Sequence, residues 1–292
     1  MHREVYSATR RWWIVGCLIY CALSGHAVCG AEKEVAKGII QVGVIDPVGL
    51  RECSGVAPVR GRTNLFWMHS DGHRPVLYLV GRDGRDGRQY LVEGAPLVDW
   101  EDLASDRQGH LFIADIGNNM AVRNDLAVYM IKEPDLSQPE HPLPVIRSWR
   151  LKFPGKPFDC ESLFIHDGFG YVISKVFDDD PAELYRFSLT PSEQPVVLER
   201  LGRLAITSPV TGADLSADGR YLGVAAKNGV YLFDVQGQPQ KSIGQVPLVA
   251  RFKDQHIEGI CHTPEGWIVT AETRAIYLFT ERAFTRPKSS KK

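Results

Sequence analysis

Cysteine is scarce, and half of it lies in one place. Of six cysteines, Cys17, Cys21 and Cys29 fall in the first 31 residues, leaving Cys53, Cys160 and Cys261 far apart. Three thiols allow at most one bridge, so a disulfide framework is excluded and the fold must rest on its core. A hydrophobic content of 44% is enough to build one. An excess of charge of one sign is also missing. The formal net charge of −1 argues against a nucleic-acid partner. A phosphate loop is missing too, because the Gly-rich "GRDGRDGRQ" joins two strand-like runs rather than a strand and a helix. Ser70 has no nucleophile-elbow context, which argues against a serine-hydrolase triad.

Only one apolar run is long enough to discuss as a membrane element. Arg10 and Arg11 precede "WWIVGCLIYCALSG", and the small residues of "HAVCGA" follow. These are the three regions of a secretory signal, cut after Ala31 or after Ala27. A lipoprotein modified at Cys29 and a retained anchor are the alternatives; His26 stands where a lipoprotein box takes a small aliphatic residue. The expected organisation is therefore a signal peptide over 1–31, one domain over 32–285, and a disordered basic tail over 286–292. The mature protein is expected to be exported, periplasmic or secreted, and monomeric, with no membrane span.

What is present is repetition. Five segments share one grammar: an acid, a short apolar run, a turn, a second apolar run, then a charged residue. They are "ECSGVAPVRGRTNLFWMHSD", "EDLASDRQGHLFIAD", "ESLFIHDGFGYVISK", "DLSADGRYLGVAAK" and "EGICHTPEGWIVTAE". The turns "DRQG", "HDGFG", "ADGR" and "TPEG" carry hairpin residues. A third, Tyr-bearing run follows each pair, and a more polar fourth run follows in all but the last: "RQYLVEG", "VIRSWRLKF", "VVLERLGRLA" and "QKSIGQVPL". Four strands per unit at this period predict an all-β β-propeller. The count is five blades, with six as the alternative. The unassigned "GIIQVGVID" at 38–46 is expected to pair with the last blade and close the ring.

The leading acids are Glu52, Glu101, Glu161, Asp214 and Glu258. Across each hairpin they are expected to face Asp71, Asp115, Lys175, Lys227 and Glu272 at one mouth of the central channel. Blades three and four then neutralise themselves with lysine. Blades five, one and two pair acid with acid, and crowded carboxylates need compensation. A divalent cation, calcium by its preference for oxygen, is the expected compensator. Its candidate ligands are Glu52, Asp71, Glu101, Asp115, Asn118, Asn119, Glu258 and Glu272. Asp99, Asp102 and Asp159 flank this set. Glu101 and His256 are the candidate proton carriers, and His69 could serve if it faces the channel. Arg123 could bind an anionic group, and Trp67 and Trp100 could stack on a ring-shaped ligand. Beside each of these stands a structural reading, in which the acids bind backbone amides, the tryptophans are core, and Arg123 is a loop residue.

The motifs "ECSGV", "LFWMHSDG", "DWEDLA" and "LFIADIGNN", with Arg123 and the later Lys-Glu-Pro, resemble a group of exported bacterial propeller proteins. That group has E-x-S-G, N-D-S-G-like, D-W-E-D-I-A and D-I-G-D-N motifs and is similar to SdiA-regulated and phytase-like esterase propellers. The resemblance covers residues 51–134 and thins afterwards. It implies a propeller, export and a calcium-bound mouth, and it brings no established reaction. The sequence departs from it at "MHSDG" and at Asn118, where the group has aspartate. The functional expectation is a metal-assisted hydrolase of an ester, lactone or phosphoester, acting on a small-molecule or glycan ligand at the mouth. The alternatives are a non-catalytic propeller that binds a glycan, peptide or envelope partner, and a glycosidase with two carboxylates across a funnel.

Overall fold

The structure is a computed structural model that describes residues 32–287, apart from Val48, His73, Asp178, Asp179 and 253–255. The expected signal segment and residues 288–292 of the tail lie outside the described residues. Among the described residues, helix is confined to two short 3-10 turns, Pro239–Ser242 and Glu281–Ala283, and no helix is long and apolar enough to cross a membrane.

Everything else that is regular is strand. The first unit holds β3 (Cys53–Pro58), β4 (Leu65–Ser70), β5 (Val76–Gly81) and β6 (Asp86–Glu93). The second holds β7 (Trp100–Ser105), β8 (His110–Asp115), β9 (Ala127–Lys132) and β10 (Leu143–Lys152). The third holds β11 (Asp159–His166), β12 (Phe169–Lys175), β13 (Glu183–Ser188) and β15 (Glu199–Arg203), with the two-residue β14 (Val196–Val197) set against β10. The fourth holds β16 (Val210–Leu215), β17 (Tyr221–Ala226), β18 (Gly229–Asp234) and β19 (Leu248–Arg251). The fifth holds β20 (Ile257–Thr263), β21 (Gly266–Ala271) and β22 (Ala275–Phe279), with β2 (Ile39–Val44) paired antiparallel to β22 and β1 (Lys33–Ala36) outside it. The polar run expected as the fourth strand of unit four is a 3-10 turn; the strand itself begins later, at Leu248.

Within each unit consecutive strands form an antiparallel meander, because the hairpins are too short for a crossover; units one and two join through a short parallel pairing of β6 with β10. One of the two-residue hairpins joins β11 to β12 through Asp167 and Gly168, both at positive φ, as a type I′ turn requires. Burial runs radially. β3, β7 and β11 are buried almost throughout, whereas β6, β10 and β15 are largely exposed. Neighbouring sheets pack face to face through apolar clusters. Trp67 and Leu79 of unit one meet Trp100 and Ile113 of unit two. Phe112 and Trp149 meet Leu163 and Tyr185. Phe164 and Tyr171 meet Leu222 and Phe233. Val230 and Leu232 meet Trp267 and Phe279, and Ile268 and Ile276 meet Phe66 and Tyr78 of unit one. The first strands β3, β7, β11, β16 and β20 lie beside one another. This is the arrangement of a β-propeller.

One local feature rearranges the expected acid pairs. Every first strand carries a bulge near its start: between Cys53 and Gly55, Trp100 and Asp102, Cys160 and Leu163, Val210 and Gly212, and Ile257 and Ile260. The bulge residues are Ser54, Glu101, Glu161 with Ser162, Thr211, and Glu258 with Gly259. A bulge inserts a residue that has no direct partner across the ladder. Asp115 therefore faces Trp100 rather than Glu101, and Asp214 faces Gly223 rather than Lys227. Glu52 precedes β3 and is exposed. Units one and four thus carry Ser54 and Thr211 where the sequence suggested Glu52 and Asp214.

Candidate functional site

The channel has two ends. At the near mouth the first strands begin; at the far mouth they end. The near mouth holds the bulge glutamates Glu101, Glu161 and Glu258, each 8% exposed or less. Such burial demands partners. Glu161 takes the Lys175 ammonium, which is the expected pair. Lys227 reaches across to Glu258 of the next unit instead of Asp214 and stands 3.7 Å from Glu272. Burial pushes Glu258 up to about 8, against the pull of Lys227. Glu272 also receives His256 Nδ1 at 3.0 Å. His256 is exposed at the rim.

Asp115 is likewise committed. It accepts from Arg123 Nη2 at 2.9 Å and from the Asp99 amide at 3.0 Å. Arg123 also donates to the Gly117 carbonyl and to Asp125, so its guanidinium neutralises an acid of this chain and is not free for an anion. Asn118 folds the following loop: its Oδ1 accepts the Val122 and Arg123 amides and its Nδ2 donates to Phe158. Asn119 is exposed, and Asp71 is half-buried beside Ser70. The eight ligand candidates therefore do not gather around one point. Among the described residues no three His, Cys, Asp or Glu side chains could hold a metal ion. As arranged, the residues do not fit the calcium set.

Asp99, Glu101 and Asp159 form a group with no ion pair among the described residues. Gly117 brings the first two together, because a Cβ there would collide with both Glu101 Oε1 and Asp99 Oδ2. Asp159 starts β11, is 7% exposed, and accepts the Asn118 amide on Oδ1 at 2.9 Å. Its Oδ2 is buried with no hydrogen-bond partner. The three feel one another. Burial, then Glu161 and Asp99, push the Glu101 carboxyl well above the usual carboxylate range. Burial also lifts Asp99, with Asp159 adding to the shift and Arg123 opposing it. The uncompensated charge thus lies between units two and three rather than across units five, one and two. The sequence offered a signal for it, since "DWE" and "DCE" repeat one Asp-x-Glu pattern at the start of β7 and β11.

The other candidates are structural. Trp67 and Trp100 are fully buried and donate to Glu133 and to the Pro96 carbonyl. Stacking on a ligand is excluded for both. His69 is buried edge-on to Trp100. Burial pulls it down to about 4, so it is a neutral core imidazole at neutral pH and not a channel base. Cys53, Cys160 and Cys261 are free and buried. Burial, reinforced by nearby carboxylates, raises all three thiols, Cys53 to about 12, so none is a thiolate nucleophile.

Deeper in the channel, Asp102 accepts the amides of Leu103 and Leu163 at 2.8 Å and of Ala213 at 3.3 Å, joining three units. Toward the far mouth, Asp214 accepts the Leu215 and His262 amides, both at 2.8 Å. Burial pushes Asp214 up to about 7. A cavity of about 720 Å³ opens there, lined among others by His110, Arg147, Trp149, Asp214 and His262.

No family model matches the chain, and no curated protein is similar to it in sequence. Solved structures similar to it include the PQQ-bound form of aldose sugar dehydrogenase from Streptomyces coelicolor, at 10% identity and a TM-score of 0.48, over 84% of this chain and 99% of that one. A gluconolactonase from Xanthomonas campestris is 14% identical with a TM-score of 0.43, over 73% of this chain and 67% of that one. The β-propeller domain of Cps50 (Swd1) from Myceliophteria thermophila is 12% identical with a TM-score of 0.40, over 78% and 65%. At these identities the likenesses bring no residue role and no activity to this chain.

Proposed function

We propose that the protein is an exported five-bladed propeller, closed by β2 on the fifth unit, that binds a small polar ligand at the near mouth and hydrolyses an ester or lactone bond there. One observation carries this reading: Glu101 is the bulge glutamate without a side-chain cation of its own among the described residues, it lies against Asp99 at Gly117, and burial among acids raises its carboxyl well above the usual carboxylate range. A strongly raised acid beside a second carboxylate that a cation pulls down, as Arg123 does Asp99, permits a division of labour in acid–base catalysis. Glu101 gives its proton to the leaving oxygen of the substrate. The half-buried Asp99 beside it takes the proton of the attacking water. The surplus of carboxylates disfavours a phosphoester, whose charge they would repel.

The test is turnover of a panel of neutral esters and lactones by the mature protein, with Glu101→Gln as the control. A loss of roughly 100-fold or more in kcat, with unfolding temperature unchanged, is the expected result. A native protein silent across the panel would remove the hydrolase reading and leave the non-catalytic propeller. That second reading draws on Asp102 and Asp214, whose oxygens are occupied by amides of neighbouring units.

A further inference from the structure

The near mouth has a second property that catalysis does not require. Four large apolar side chains on the segments next to Asp99, Asn118 and Lys175 are exposed: Val98 at 54%, Met120 at 79%, Val122 at 75% and Phe177 at 64%. Val98 adjoins Asp99. Met120 and Val122 belong to the loop that Asn118 folds. Phe177 follows Lys175, whose ammonium lies 5.7 Å from its ring centre. Exposed apolar side chains borne by the segments that carry a polar group mark a binding surface rather than scattered surface residues.

Inside this rim sits the buried Asp159 Oδ2 without a partner. The two nearest cations are already engaged, Lys175 by Glu161 and Arg123 by Asp115, Gly117 and Asp125. A buried carboxylate oxygen left unpaired is costly, so the site lacks one donor. A metal ion does not fit the donors as they stand. An ammonium does, since it brings N–H donors of its own and needs no symmetrical cage.

We propose that the near mouth recognises a primary ammonium carried on an apolar body, with the ammonium between Asp159 Oδ2 and Asp99 and the body across Val98, Met120, Val122 and Phe177. This inference rests on the near mouth being the functional one. It assigns the ligand class there, with one Asp99 oxygen toward the ammonium and the other left for the water of the hydrolytic step, and leaves Glu101 its separate task. Half-burial of Asp99 keeps the path to solvent open.

Calorimetric titration of the mature protein tests it with n-hexylammonium, N,N,N-trimethylhexylammonium and methylammonium. Hexylammonium should bind at least about tenfold more tightly than its trimethyl analogue, which has the same body and charge but no N–H. Methylammonium, which lacks the body, should be weaker by a similar factor. Asp159→Asn keeps an acceptor for the Asn118 amide and should weaken hexylammonium at least about tenfold. Should that variant fail to fold, Asp99→Asn and Phe177→Ser carry the same expectation. Equal binding of the two hexyl cations would overturn the proposal. So would unchanged affinity in the carboxylate variants, or a calcium-induced rise in unfolding temperature that Asp159→Asn abolishes. Ammonium binding without turnover of any ester would sink the hydrolase reading alone.

Discussion

Buried carboxylates occur along the whole channel, yet they fall into two kinds. Asp102 and Asp214 are ringed by backbone amides from neighbouring units. Asp99, Glu101 and Asp159 are ringed by one another, and one oxygen has no partner at all. Carboxylates of one channel therefore do opposite work. The first set fastens sheets that share no ladder and asks nothing of a ligand. The second keeps unspent hydrogen-bonding capacity at a rim open to solvent. Partners, not burial, separate scaffold from candidate site.

Removing the best-connected fastener should give the largest effect. Asp102→Ala strands three buried amides in units two, three and four. Each is worth roughly 1–3 kcal/mol, so a loss of about 5 kcal/mol is expected in urea unfolding at pH 7. A loss below about 1 kcal/mol would mean that the amides find other partners and that Asp102 belongs with the second set. Lys175→Met comes next. It leaves Glu161 buried without its cation, at an expected cost of about 4 kcal/mol. The cost should shrink on acidification, because an unpaired, buried Glu161 takes up a proton more readily. A loss independent of pH would point to lost packing of the lysine stem instead.

The strands were legible in the sequence because hairpin chemistry is local. Gly168 after Asp167 and the alternation of polar and apolar residues are read within ten residues. The bulges were not legible. They break the period of two without leaving a marker, and a shift of one residue moves a side chain to the other face. The lysine of unit four went to the wrong acid for this reason. In unit four the acid, Asp214, lies three residues beyond the bulge residue Thr211 and so nearer the far mouth than the bulge glutamates of the other units. Trp100 and Trp67 could not be placed from sequence, because which face of a strand meets the next sheet is decided by packing between units. Asp159 was visible only as a flanking acid. Its missing partner is a fact of three dimensions.

The smallest expected effect sharpens the comparison most, because it sets two buried groups against each other. His69 is neutral in the fold, with its pKa lowered from 6.5 to about 4. The unfolded chain therefore binds the extra proton between those values, and stability falls as pH drops from 6.5 to 4, by about 3 kcal/mol. Asp214 works the other way. Its pKa rises from 3.8 to about 7 in the fold, so the folded state binds the extra proton and stability grows as pH drops through 7 toward 3.8. Glu258, raised to about 8, pulls in the same direction. Stability of the native protein should rise by only about 3 kcal/mol between pH 6.5 and 4, because His69 offsets about half of what Asp214 and Glu258 together add. His69→Gln removes one side of that balance while keeping a polar planar group in the pocket. Its absolute stability at pH 7 matters less than its slope: unfolding free energy should rise on acidification to pH 4 by about 3 kcal/mol more than in the native protein. A slope that matches the native protein would mean that His69 does not titrate as a buried neutral imidazole, and its place in the core beside Trp100 would need another account.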